Sequence, residues 1–161
     1  MIVVADTSPL NYLVLLGHVD VLRILYGRVA IPHAVRDEML AARAPALVKA
    51  WAADLPMWME LISALRIDPT LPEILGDGER EAISLAMELK ADLVLVDDLP
   101  ARIAVEKRGF VATGCLTVLL DASRRGYLDF GKSLDKLKSL GFRMSPALEE
   151  TFRELAGVKR S

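Results

Sequence analysis

Two stretches decide the fold: Ile2-Val3-Val4-Ala5-Asp6, and Leu93-Val94-Leu95-Val96-Asp97-Asp98. Each is a continuous apolar run that ends in acid. Runs of this length without polar alternation read as strands buried on both faces, the habit of parallel sheets. Strands of that kind need helices on both sides, and the sequence between and beyond them supplies helices.

After the first run, Asp6-Thr7-Ser8-Pro9 turns the chain into a helix, with Ser8 as its cap and Pro9 at the first helical position. Leu10, Leu13, Val14 and Gly17 follow at helical spacing. A short helix is expected over 19–25 and a strand over 29–31. Pro32 opens a helix over 33–42, a further one covers 46–53, and a strand lies within 58–67. Asp77-Gly78 begins an amphipathic helix that runs to Leu89. The second apolar run is followed by a helix over 100–108, a strand near 110–112, and helices near 116–125, 132–140 and 146–156. This alternation predicts an α/β fold: three α/β/α layers around a central parallel sheet of four to five strands. The expected organisation is a single domain over 1–161, with 127–161 as a C-terminal helical extension packed on it.

Composition narrows the classes. The chain has 161 residues, 53% apolar and 26% charged, enough for one domain with a sizeable core. One cysteine, Cys115, rules out an internal disulfide framework and suits a reducing compartment. No basic region precedes the first apolar run, which is too short for a signal peptide or a membrane span, so a cytoplasmic, non-membrane protein is expected. The net charge of −2 gives no global pull toward nucleic acid. A phosphate-binding surface would have to be local. Arg23 with Arg28, Lys107 with Arg108, Arg124 with Arg125, and the run Lys132, Lys136, Lys138, Arg143 are the candidates. His18 and His33 stand alone, which argues against zinc. Cys115 reads as a packed small hydrophobe. No Gly-rich phosphate loop is present. Trp51, Met57, Trp58 and Met59 read as core, or alternatively as a self-association surface.

The chemistry is in the acids. In parallel sheets, ligands bind outside the carboxyl ends of the strands. If both apolar strands lie centrally, Asp6 and Asp97 project from that one edge. Two carboxylates ~4 Å apart repel by roughly 4 kcal/mol at an effective dielectric of 20. A divalent cation converts that repulsion into binding, because hard cations take oxygen ligands. Glu79 precedes Ala82, Ile83 and Ala86 at three, four and seven residues, so it extends the buried stripe of its helix; a carboxylate there is costly unless paired or metal-bound. Glu81 is expected instead to complete a capping box with Gly78. Glu38 follows Val35 and Ala34 at helical spacing, near the apolar face of its own helix, while Asp37 points away.

These residues resemble the PIN domain. The likeness rests on Asp6-Thr7-Ser8-Pro9-Leu10, on Glu38 within Val35-Arg36-Asp37-Glu38-Met39, on Gly78-Glu79-Arg80-Glu81-Ala82-Ile83, and on Val96-Asp97-Asp98. It is nearest to the VapC-like DUF3368 branch, which the pattern Leu99-Pro100-Ala101-Arg102, Thr113-Gly114, Leu119-Leu120 and Arg125-Gly126 also resembles. The resemblance implies an endoribonuclease dependent on Mg²⁺ or Mn²⁺, often the toxin of a toxin–antitoxin pair, with RNA as substrate. It further implies a homodimer and an antitoxin protein that occludes the acidic cleft.

Carried over residue by residue, it implies catalytic roles for Asp6, Glu38, Glu79 and Asp97, with Asp6, Glu79, Asp97 and Asp98 as metal ligands. Ser8 or Thr7 would support the site, and Arg102 would hold substrate. In this reading Asp6 and Asp97 are the main ligands of one ion, and Glu38 and Glu79 orient waters. Glu79 departs from the Asp that many members carry at its position. The rival reading is a catalytically weak or inactive PIN-like module that binds RNA or protein. An aspartyl-nucleophile phosphatase is disfavoured, because Asp6-Thr7-Ser8 has no second Asp two residues on.

Overall fold

A computed structural model describes residues 1–158. Its elements, in chain order, are β1 (Val3–Ala5), α1 (Thr7–Leu16), α2 (Val21–Tyr26), β2 (Val29–Ile31), α3 (His33–Leu40), α4 (Ala46–Ala53) and β3 (Met59–Leu61). Then come α5 (Asp77–Leu89), β4 (Leu93–Leu95), α6 (Leu99–Lys107), β5 (Ala112–Thr113), α7 (Cys115–Arg124), α8 (Phe130–Ser139) and α9 (Pro146–Ala156). The strands form one all-parallel sheet of five in the order β3-β2-β1-β4-β5. The fold is α/β, as the alternation predicts.

β1 and β4 are neighbours at the centre, in the register Val3↔Leu93, Val4↔Val94, Ala5↔Leu95. All six of those residues are buried, which explains why both runs are apolar throughout. The chain builds outward from β1 to β3, then returns through α5 to the other side of β1. With right-handed crossovers, that reversal places helices on both faces. It also makes the gap between β1 and β4 the switch point of the sheet, where a crevice opens at the carboxyl edge.

Local details differ from the sequence expectations at the helix starts. Asp6, not Ser8, caps α1: it is extended (φ −90°, ψ 172°) straight off the strand, so the helix begins at Thr7. Pro9 therefore sits third in the helix, still within the turn whose N–H groups have no intrahelical acceptor. At the start of α5 it is Glu79, not Glu81, whose side chain reaches back to the cap, accepting the Gly76 N–H. Glu81 instead accepts the N–H groups of Ala34 and Ala64, tying α5 to α3 and to the segment after β3.

Trp51 and Trp58 pack against the core with ring centroids 6.4 Å apart, and Met59 is buried, while Met57 is fully exposed. The helices α8 and α9 pack on α7, and α8 also reaches α1. Positions 159–161 of the expected extension lie outside the described residues. Among the described residues, no helix is long and apolar enough to cross a membrane.

Candidate functional site

The crevice between β1 and β4 is where the acids gather. The Asp6 N–H donates to the Leu95 carbonyl at 2.9 Å, which continues the β1–β4 ladder by one residue and sets Asp6 beside the chain leading to Asp97. Asp6 is 2% exposed. Burial pushes its carboxyl up to about 8, against the pull of the Thr7 N–H, and the charges of Glu79, Glu38 and Asp98 push the same way as burial. Among the described residues, its buried Oδ1 has no hydrogen-bond partner.

Asp97 leaves β4 and meets the start of α7. Its Oδ1 accepts the Cys115 N–H at 2.8 Å, a favourable seat at a helix N-terminus. The approach needs Gly114, since a Cβ there would lie 2.6 Å from that oxygen and 2.9 Å from Arg102 Nη1. Burial raises Asp97 to about 6, opposed by the Cys115 N–H and the Arg102 charge. Its Oδ2, like Asp6 Oδ1, is buried and unpartnered.

Glu79 is third in α5. Its Oε1 turns back to accept the Gly76 N–H at 3.0 Å, and its Oε2 is buried without a partner. Burial is the main cause that raises this carboxyl; the Gly76 N–H opposes it, and neighbouring Asp98 and Glu38 add to it.

Glu38, on α3, is held at both oxygens. Oε1 accepts the Gly78 N–H at 2.9 Å, and Oε2 accepts the Thr7 hydroxyl. Its carboxylate thus sits on the N-terminus of α5 and bridges that helix to the turn after β1. A Cβ on Gly78 would come within 2.5 Å of Glu38 Oε2, so glycine leaves the room this bridge occupies. Glu38 is fixed, whereas Asp6, Glu79 and Asp97 each keep an unpaired oxygen.

The remaining predicted residues lie around these four. Ser8, Asp98 and Asp97 share a recess of about 240 Å³ with Tyr12 and Arg143. Arg102 and Asp97 border an adjoining recess of about 350 Å³, again with Arg143. Of the other basic candidates, Arg28 pairs with Glu60, Arg108 with Asp68, and Lys138 with Glu149. Cys115 is fully buried and burial raises its thiol well above the ordinary range, so it is no nucleophile. Sequence reasoning assigned no role to Tyr12, gave Gly78 only a helix cap's place, and had Gly114 only as part of the family pattern. A glycine directly before a candidate acid, as in Gly78-Glu79, was the available signal for one of them.

Among the described residues, no three His, Cys, Asp or Glu side chains form a ready-made metal cage. Like charges without a cation have no reason to close to coordination distance. The donor chemistry nevertheless fits one. Among the described residues, three carboxyl oxygens, Asp6 Oδ1, Glu79 Oε2 and Asp97 Oδ2, are withheld from water with no partner to meet them. Such atoms are costly unless something absent from the protein itself satisfies them. A hard divalent cation does so with oxygen ligands and keeps several waters of its own, so few carboxylates need to touch it. Asn11 Oδ1, on α1, is the other buried side-chain atom in this condition among the described residues.

A family model described as a PIN domain, DUF3368, matches residues 2–158 of the chain. No curated protein matches it. PIN domains are generally nucleases and typically use divalent metal ions. The match spans nearly the whole sheet-and-helix framework that carries the acids, and the chain belongs to the DUF3368 family of PIN domains.

Proposed function

We propose that this protein is a metal-dependent endoribonuclease that hydrolyses RNA phosphodiester bonds at the carboxyl edge of β1 and β4. The observation that carries this reading is the trio of buried, unpartnered carboxylate oxygens on Asp6, Glu79 and Asp97. Mg²⁺ or Mn²⁺, when bound, supplies positive charge for the phosphate and lowers the pKa of water.

The chain's own residues do the rest. Asp6 and Asp97 present their free oxygens from adjacent strands as the principal ligands, and Asp98 borders the same opening. Glu38, committed to Thr7 and Gly78, holds α5 against the β1 turn and so places Glu79. Glu79, anchored through Oε1, has Oε2 free to take a proton from the attacking water. Its raised affinity for protons suits that role. Arg102 holds a substrate phosphate beside Asp97.

One rival is a PIN-like module that binds RNA without cutting it. A single experiment separates them. End-labelled RNA is incubated with the purified protein in Mn²⁺ and in chelator, alongside Asp6→Asn and Glu79→Gln. Cleavage by the parent in Mn²⁺ alone, lost in both variants, is the expected result. If no RNA is cut in Mn²⁺, or Asp6→Asn cuts as fast as the parent, the nuclease reading fails.

A further inference from the structure

The recess of about 350 Å³ beside Asp97 carries more than the phosphate contact assigned to Arg102. It lies between α6, α7 and the connection from α8 to α9, and its walls are of two kinds. Leu116, Leu148, Phe142 and Phe152 make it apolar, and Arg102 and Arg143 make its rim cationic. Its volume is at the low end for ligand sites, ~300–1,000 Å³.

Leu148 and Leu99 are 41% and 67% exposed, so apolar surface faces solvent beside the charged rim. Phe142 is steadied by an edge-on contact with Tyr12, ring centroids 5.2 Å apart at 79°. None of the ion pairs among the described residues includes Arg102 or Arg143, although Arg28, Arg108, Arg153 and Lys138 are all paired. Two guanidinium groups outside the ion pairs among the described residues, around an apolar hollow and next to a carboxylate with a free oxygen, match the chemistry of a nucleotide. The base wants an apolar or aromatic surface, and the phosphate wants arginine.

We propose that this recess is a nucleotide subsite that takes one unpaired base of single-stranded RNA, with Arg143 and Arg102 holding the phosphate next to it. The inference rests on the nuclease reading, because Asp97 is what links the recess to the scissile position. A duplex would keep its bases stacked away from the hollow, so the subsite selects single strands. The α8–α9 connection gains a role in substrate binding, since its Phe142-Arg143 pair brings the C-terminal helices to the RNA.

The test uses the full chain and a labelled hexaribonucleotide, with binding measured by anisotropy in chelator and cleavage measured in Mn²⁺. Arg143→Gln and Leu148→Trp, the latter filling the recess from an exposed position, should each weaken binding about tenfold. An abasic position in the RNA should weaken binding by the parent similarly, yet cost Leu148→Trp little, because the recess is already filled. Binding that both variants retain, or an abasic penalty equal in the parent and Leu148→Trp, overturns the subsite. So does failure of the parent to bind the oligomer, including the case in which the recess takes a peptide or a second copy of the chain instead. Parent cleavage with no dependence on these changes leaves the nuclease and removes the subsite. Recess-dependent binding without cleavage does the reverse.

Discussion

Arg153 in α9 and Asp6 at the end of β1 are both nearly inaccessible, 5% and 2% exposed, yet their surroundings are opposite. Arg153 donates to Glu149 at 2.9 Å and to Asp135 at 2.8 Å, and Glu149 also takes Lys138 at 2.8 Å. Lys138 and Arg153 hold Glu149 below the usual carboxylate range. Each charge has its opposite, and the network fastens α9 to α8. Asp6 has acids for neighbours and an oxygen with nothing to bind. A buried ionisable group can persist because the protein answers it or because a ligand will. The first arrangement holds the fold together, and the second is kept for chemistry.

Asp6→Asn strains that contrast hardest. It should reduce Mn²⁺-dependent cleavage at least about a hundredfold, since loss of metal-based charge stabilisation is worth several kcal/mol. Yet the metal-free variant should unfold at a higher temperature than the parent, because a neutral amide replaces an acid that burial disfavours. Calorimetric scans in chelator check this. A lower unfolding temperature would mean that the acid supports the fold as Arg153 does.

The pH dependence has a definite sign. Asp6 holds its proton up to about 8 in the folded chain, against 3.8 for the ordinary group. Between those values the native state binds more proton than the unfolded state, so this group's contribution to stability falls as pH rises and is exhausted above the upper value. The slope is at most roughly 1.4 kcal/mol per pH unit. Denaturant titrations of the metal-free protein at several pH values should show it, and Asp6→Asn should flatten it.

Arg153→Ala probes the other side. Removing the shared donor leaves Glu149 with Lys138 alone and should cost about 2–3 kcal/mol of stability, read by urea denaturation. Mn²⁺ affinity, measured by titration calorimetry, should not change. The smallest effect is expected from Gly78→Ala. The new methyl group displaces the Glu38 carboxylate from the Gly78 N–H and the Thr7 hydroxyl, and alanine's helix preference of about 1 kcal/mol offsets part of that loss, so stability should fall by about 1 kcal/mol. Cleavage should drop about tenfold as Glu38 loses its seat and Glu79 shifts, consistent with the penalty for misplaced groups. An unchanged rate would show that the bridge is structural only.

Legibility in the sequence differs between fold and site. The two apolar runs and the helix from Asp77 to Leu89 are plain, because burial on both faces and a 3.6-residue period both leave marks in composition. The caps are not: sequence points to Ser8 and Gly78, and the structure uses Asp6 and Gly76. Several residues in each turn are competent caps, and the choice depends on where the strand or loop delivers the chain. Glu38 and Glu79 look alike as acids near apolar faces. Only the packing of α3 against α5 and the start of α1 distinguishes them: it satisfies both oxygens of Glu38, while Glu79 has a single oxygen satisfied, by Gly76.

Arg143 shows the same limit. In sequence it is one cation in a basic run, and the turn after α8 sets it beside Asp97's recess. The order of residues alone therefore determined the parallel α/β class and the placing of Asp6 and Asp97 at strand ends, since local patterning dictates strands and their termini. Tertiary structure decided which acid oxygens stay unpaired and which cations reach them, because those properties depend on neighbours remote along the chain.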